Sequence, residues 1–263
     1  IDVSTPNGLA NPFAEKVRSG RFDTFRFHWR DDPRKDDAWY AKQVEKLDPV
    51  TVAQEIDIDF AASADFVAIP SSWIQAAIGA DEKLGVALGG EKSTALDVAD
   101  LGRDSNAHTL RDGLVLRDVR EWHGSTVDDI YGTTQRAIDN CDEWGVRSMR
   151  YDSDGIGAGV RGDARVINED RRLPVEVEAF HGGAGVINKD DDYIEGRTNG
   201  EFFENYKAQS WWSLRNRFKT TYEAVVQGKE YDADDLISID PNCSQLDKLQ
   251  GELNQVTYKK TAR

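Results

Sequence analysis

Ala95-Leu96-Asp97-Val98-Ala99-Asp100-Leu101-Gly102-Arg103-Asp104-Ser105-Asn106 places an acid in the middle of an apolar, strand-like run. A strand of this kind buries its side chains, and a carboxylate taken out of water without a partner is strongly destabilising. A bound cation removes that penalty. A second reading stays open at this point, with Asp97 at the strand end in a salt bridge or loop cap, and Asp100 and Asp104 as turn residues.

Outward from this stretch the pattern predicts three strands before any helix: Ser93 to Val98, Ala107 to Arg111, and Leu114 to Trp122, with Arg111-Asp112-Gly113 turning between the last two. Asp128 to Trp144 reads as a helix, Arg147 to Tyr151 as a short strand, Gly157 to Ile167 as a helix and Val175 to Phe180 as a strand. An antiparallel meander continuing into β-α-β-α-β is the RNase H arrangement. The expected fold class is therefore α/β, an RNase H-like mixed sheet flanked by helices, followed by helical segments from Gly200 to about Val226 and from Ser244 to Leu253.

The strand at 147–151 runs into Tyr151-Asp152-Ser153-Asp154-Gly155-Ile156-Gly157-Ala158-Gly159. An acid ending a strand before a glycine-rich turn lies at the carboxyl edge of the sheet, where ligands gather. The glycines match neither GxGxxG nor a P-loop, which needs Lys-Ser/Thr. An Asp N-cap with a tight helix–strand contact is the alternative. Taken jointly the two segments say more. In the RNase H order the strand of Asp97 and the strand of Asp152 are parallel neighbours, so the two carboxylates face each other and suit Mg²⁺ or Mn²⁺ through oxygen ligation. Two ions about 4 Å apart activate water and stabilise a leaving 3′ oxygen in phosphodiester hydrolysis.

Upstream, Pro70 and Ser71-Ser72 punctuate the chain before a helical Trp73 to Ile78, and Gly85, Gly89 and Gly90 form a loop. Residues 1–65 contain a turn-rich opening, a β-like run Thr24 to Trp29 and a helical stretch from Asp36 to Gln54 with Trp39, Val44 and Leu47 as core contacts. The expected division is an α+β appendage at 1–65, a linker at 66–90 and the main domain at 91–263.

Bulk properties limit the alternatives. At 263 residues with 39% hydrophobic and 10% aromatic content, the chain supports a sizeable core. No apolar run reaches the length of a membrane span, and Ile1-Asp2-Val3-Ser4 shows neither a basic nor an apolar leader region. The absence of an initiating Met suggests a piece of something longer. Cys141 and Cys243 stand far apart without metal-site spacing. His28, His108, His123 and His181 form no HExxH pair and read as surface or packing residues, and no GxSxG elbow occurs. The 33 basic against 48 acidic residues leave a net charge of −15, so DNA needs a local basic track, metal ions or a partner.

The ordered set Ser4-Thr5-Pro6-Asn7-Gly8, Asn11-Pro12-Phe13, Asp32-Pro33-Arg34, Trp39-Tyr40, Ala53-Gln54-Glu55, Phe60, Leu96-Asp97-Val98-Ala99-Asp100, Tyr151 to Gly159 and Ala208-Gln209-Ser210-Trp211-Trp212 resembles the C-terminal part of phage terminase large subunits. The resemblance implies the end of an ATPase domain followed by a metal-dependent endonuclease that cuts concatemeric viral DNA during packaging. It implies that Ser4 and Thr5 belong to the segment coupling ATP hydrolysis to DNA movement, and that residues 1–65 are the remnant of a lid subdomain. The nucleotide-binding core is missing: no GxxxxGK[ST] occurs, so ATP serves only the complete protein. The resemblance further implies Asp97, Asp152 and Asp104 as catalytic residues and Asp97, Asp152 and Asp154 as ligands of two Mg²⁺ or Mn²⁺ ions. A third family acid is expected beyond Arg263 or missing, with Asp232, Asp234, Asp235 and Asp240 as poorer substitutes. Implied partners are double-stranded DNA, the portal protein and the small terminase subunit, with no membrane, in the host cytoplasm and transiently at the procapsid portal.

Phe202-Phe203, Tyr206, Trp211-Trp212 and Phe218 recur at helical spacing with Lys207, Arg215, Arg217 and Lys219 interleaved. A basic aromatic stripe binds nucleic acid, making Arg215, Arg217 and Lys219 candidate DNA contacts. An aromatic face packed on the sheet is the more ordinary reading. The stretch from Phe180 to Arg197, with its Asp190-Asp191-Asp192 run, suits a long loop beside the site. Two rivals remain: another RNase H-like processor of resolvase or transposase type, and a non-catalytic docking module for the portal or small subunit.

Overall fold

Burial alternates along the strand that holds the first acid. In Lys92–Asp97 (β1), Thr94 and Leu96 are buried while Ala95 and Asp97 reach solvent, the two-residue period of a sheet covered on one face. The computed structural model describes residues 2–3, 12–46, 52–59, 67–86, 89–99, 104–123 and 129–258. It divides into two units, residues 1–76 with 247–263, and residues 77–246.

The second unit is built on Ser105–Asp112 (β2), Val115–His123 (β3), Ser148–Asp152 (β4) and Glu176–Phe180 (β5), with a separate hairpin of Asp192–Ile194 (β6) and Arg197–Thr198 (β7), and a last short strand Ser238–Ile239 (β8). The six-stranded sheet has the order β5-β4-β1-β2-β3-β8. β1, β2 and β3 form the antiparallel meander, and β1, β4 and β5 are mutually parallel neighbours in turn, as expected. β8, absent from the sequence-based reading, joins β3 in parallel through Val115 and Leu116.

Ile130–Trp144 (α5) and Val160–Glu169 (α6) cover one face. Asp129 caps α5 by accepting from the Gly132 N–H, and Gly145 ends the helix in the left-handed region that favours glycine. Ala137, Ile138 and Cys141 of α5 and Val160, Ala164 and Ile167 of α6 pack on Leu96, Met149, Tyr151, Trp122 and Val175. His108 is buried there too, accepting at Nδ1 from Asn140, and burial pushes its pKa down to about 3, with the Arg120 charge adding to the fall.

The helical pattern expected from Gly200 to Val226 is split. Thr198 caps Asn199–Phe202 (α7) in a capping box with Glu201, and Asn205 then caps a new helix, Tyr206–Gln227 (α8). The expected loop from 180 to 197 holds the β6–β7 hairpin.

In the first unit, Pro12–Arg18 (α1), Asp37–Lys46 (α2), a π turn at Val52–Ile56, nearly all of Ser71–Ala77 (α3) and most of Leu246–Leu253 (α9) are present. Trp29 is buried between Trp39 and Tyr40, with ring centroids 5.9 and 4.9 Å away. The strand expected at Thr24–Trp29 does not form: that run pairs with no strand among the described residues, and Phe25 and Phe27 are 89% and 56% exposed. Just beyond residues 1–65, an isolated bridge joins Val67 to Thr257.

Residues 66–90, expected as a linker, hold α3 and Ala80–Leu84 (α4), and the division falls after Ala76. Residues 77–81 go with the sheet because Gly79 N–H donates to Ile239 O at 2.8 Å and Ser238 Oγ donates to the buried Asp81. Residues 247–263 go with the first unit because Ala68 N–H donates to Val256 O at 2.7 Å.

Candidate functional site

The register brings the two acids together. Leu96 pairs with Tyr151 in parallel, both side chains enter the core, and the next residue on each strand, Asp97 and Asp152, therefore turns to the opposite face. No strand lies between them. Although Asp97 reaches solvent, partial desolvation at the crowded sheet edge holds its carboxyl above its ordinary value, and the negative charge of Asp152 adds to the rise. The Lys207 ammonium and a hydrogen bond from the Val98 N–H oppose it.

The glycine-rich turn after Asp152 has a steric reason. Gly157 is buried in the 3₁₀ turn Gly155–Gly159, and a Cβ on it would collide with the Asp152 carbonyl oxygen. The tight contact that the sequence offered as the alternative reading of this stretch is thus present at Asp152. Asp154 follows in the turn. Its N–H donates to Asp152 Oδ1 at 3.0 Å, and its own Oδ2 accepts from Gly183 N–H at 3.0 Å.

Two more side chains stand at this edge that the sequence reading did not place in the site. Ser153 Oγ donates to Phe180 O at 2.9 Å, so it accepts from His181 Nδ1 at 2.8 Å. Nδ1 also lies 3.6 Å from Asp154 Oδ1, so the ring stands between the serine and the aspartate. Lys207 lies in the first turn of α8, and its N–H donates to Gly182 O at 2.9 Å. His181 had no spacing signal. Lys207 directly precedes the Ala208-Gln209-Ser210-Trp211-Trp212 motif but belongs to no charged cluster in sequence.

Asp104 is exposed just before β2, which starts at this same edge of the sheet, and no hydrogen bond or ion pair joins it to the two acids. Among the described residues no three His, Cys, Asp or Glu side chains converge to hold an ion, so neither Asp104 nor Asp154 completes a three-ligand set. Ser4 and Thr5 lie outside the described residues, as does Asp100. Asp232, Asp234, Asp235 and Asp240 sit around the short turn before β8 and just after it, where Asp240 is paired with Arg117 at 3.0 Å. Arg215 lies over the Trp212 ring, Arg217 donates to the carbonyls of Asp234 and Leu236, and Lys219 pairs with Glu223. These three cations have partners within the chain. Phe218 is buried, and Phe202 packs edge-on to Trp212, so the aromatic side chains pack on protein.

The donor set suits a hard divalent cation. Both donors are carboxylate oxygens, one is destabilised by the charge of the other, and Mg²⁺ is commonly held by one or two carboxylates with waters and substrate phosphates filling the remaining positions. No helix among the described residues is long and apolar enough to cross a membrane.

No family profile and no curated protein matches the chain. Solved structures do. A point mutant of the nuclease domain of the large terminase subunit gp2 of bacterial virus Sf6, with manganese and β-thujaplicinol, is 31% identical over 74% of this chain and 84% of its own, at a TM-score of 0.67. The same mutant with calcium has the same identity, coverage and TM-score. The unmutated Sf6 nuclease domain is 30% identical over the same shares, at a TM-score of 0.66. With 30–31% identity across 84% of the Sf6 domain and a TM-score of up to 0.67 over a mixed α/β fold, the chain belongs to the family of phage terminase large-subunit nuclease domains.

Proposed function

We propose that this chain is a divalent-metal-dependent endodeoxyribonuclease that cuts concatemeric viral DNA during genome packaging. The observation that carries the reading is the pair Asp97 and Asp152, neighbours on adjacent parallel strands and turned to the same face, with the charge of one raising the pKa of the other. The Sf6 domain, solved with manganese and with calcium, supports a divalent cofactor.

Asp97 and Asp152 hold Mg²⁺ or Mn²⁺, two ions in the full site. Bound there, the ions supply an activated water and neutralise charge on the leaving 3′ oxygen. The chain's own residues do the positioning. Gly157 lets the turn close against Asp152, Asp154 ties that turn to the loop after β5 through Gly183, and Asp104 assists from the start of β2. Arg215, Arg217 and Lys219 are secondary in this reading, because each has a partner in the fold. Double-stranded DNA is the substrate, and cutting is coupled in the complete protein to an ATP-driven motor. The portal protein and small terminase subunit are the partners, in the host cytoplasm and transiently at the procapsid portal, with Ser4 and Thr5 in the coupling segment.

The test is calorimetric titration with Mn²⁺. Wild type gives a saturable heat, and Asp97→Asn and Asp152→Asn each abolish it or weaken binding at least tenfold. Heats unchanged in both variants would leave the carboxylates a stabilising role only and favour a docking module.

A further inference from the structure

We propose that Lys207 is the residue that grips the DNA backbone at this site, its ammonium contacting a non-bridging oxygen of the phosphate held beside Asp97 and Asp152. The inference rests on the nuclease reading and names the protein group that receives the substrate's charge.

Placement is the first argument. Asn205 caps α8 by accepting from the Ala208 N–H, which sets Lys207 in the opening turn. Two backbone bonds then latch that turn to the loop after β5: Tyr206 N–H to Ala184 O and Lys207 N–H to Gly182 O, both 2.9 Å. The same loop is held to the turn after β4 through Gly183 and Asp154. A methyl on Gly182 would lie 3.3 Å from both Asp154 Oδ2 and Lys207 Cβ, so the aspartate and the lysine crowd one glycine. Three segments are thus pinned at one edge with the lysine among them.

Charge is the second argument. Lys207 acts electrostatically on Asp97, yet its ammonium forms no ion pair within 4 Å among the described residues. Lys16, Lys219, Lys229 and Lys248 each have a carboxylate partner. An exposed cation close to acids that it does not bond is free to take an incoming anion. The need is evident from the net charge of −15, which repels a polyanion unless cations act locally. Arg215, Arg217 and Lys219, with partners of their own, do not meet that need at the acids.

The experiment measures binding of a short fluorescent duplex by anisotropy across a salt series, with Ca²⁺ present, alongside Mn²⁺ calorimetry. Lys207→Gln is expected to weaken duplex binding about fivefold and to reduce the slope of log K against log salt by about one, the signature of one lost phosphate contact. Lys207→Arg keeps the charge and is expected to stay within about twofold of wild type. Mn²⁺ affinity in Lys207→Gln is expected to hold or tighten. Should Lys207→Gln bind the duplex with wild-type affinity and slope, the proposal is overturned whatever the Mn²⁺ affinity; a shift in the latter would mean that the lysine only balances the carboxylates. A wild-type chain that binds no duplex under any of these conditions overturns the nuclease reading and the proposal together.

Discussion

Asp97 and His108 lie on paired strands and carry opposite electrostatic problems. The Asp97 carboxyl is raised by burial and by Asp152, so in metal-free protein the folded state holds its proton more tightly than the unfolded chain does. Stability from this group is therefore present at low pH and falls as pH climbs from the ordinary carboxylate range through the raised value. Asp97 keeps solvent access, and screening limits the effect to below about 1 kcal/mol. Asp97→Asn is expected to melt about 2 °C higher than wild type in EDTA at pH 7, a gap that Mn²⁺ closes. Equal melting temperatures in EDTA would mean that the acids do not strain one another. His108 behaves in the reverse sense. Its folded pKa of about 3 lies below the unfolded value, so stability falls as pH drops below about 6.5. Between pH 7 and pH 5 that single group is expected to cost about 2 kcal/mol. In His108→Gln, which keeps an acceptor for Asn140, this component should vanish from urea unfolding curves recorded at the two pH values.

At the scale of elements, the turn from β4 into α6 is the most constrained piece of the site. Gly157→Ala has to push the turn away from the Asp152 carbonyl, and overpacking of this kind costs about 1–3 kcal/mol. Mn²⁺ affinity is expected to fall about tenfold with it, because Asp152 moves with its own backbone. A variant that loses stability but binds Mn²⁺ as wild type does would show that the turn positions nothing. The elements that periodicity predicted are those whose stability comes from their own pattern: β1 to β5, α5 and α6 all form within a few residues of their expected limits. The exceptions were set by partners. Thr24–Trp29 alternates like a strand but has nothing to pair with, whereas β8 has only two residues and exists because Ser238 N–H and Asp240 N–H donate to Leu114 O and Leu116 O. The break at Phe203–Asn205 follows from two caps, Thr198 and Asn205, inside one apparently continuous helical pattern.

For the molecule as a whole, the sheet order and the meeting of Asp97 with Asp152 were legible because strand periodicity and parallel crossover together allow few arrangements. The flanking groups were not. Lys207 and His181 come from segments far from β1 in sequence and arrive at the edge through backbone bonds among loops, which no local pattern reports. The one-sided cover of β1 has a further consequence. Along β1, Thr94 and Leu96 face the helices that hold the domain together, while Ala95 and Asp97 face the side of the proposed metal site. Adjacent letters of the strand thus answer to different selective pressures. A library of substitutions here, sorted once for abundance and once for cutting, should separate into two interleaved sets that alternate position by position. In this strand the enzyme can gain or lose its trade without losing its shape.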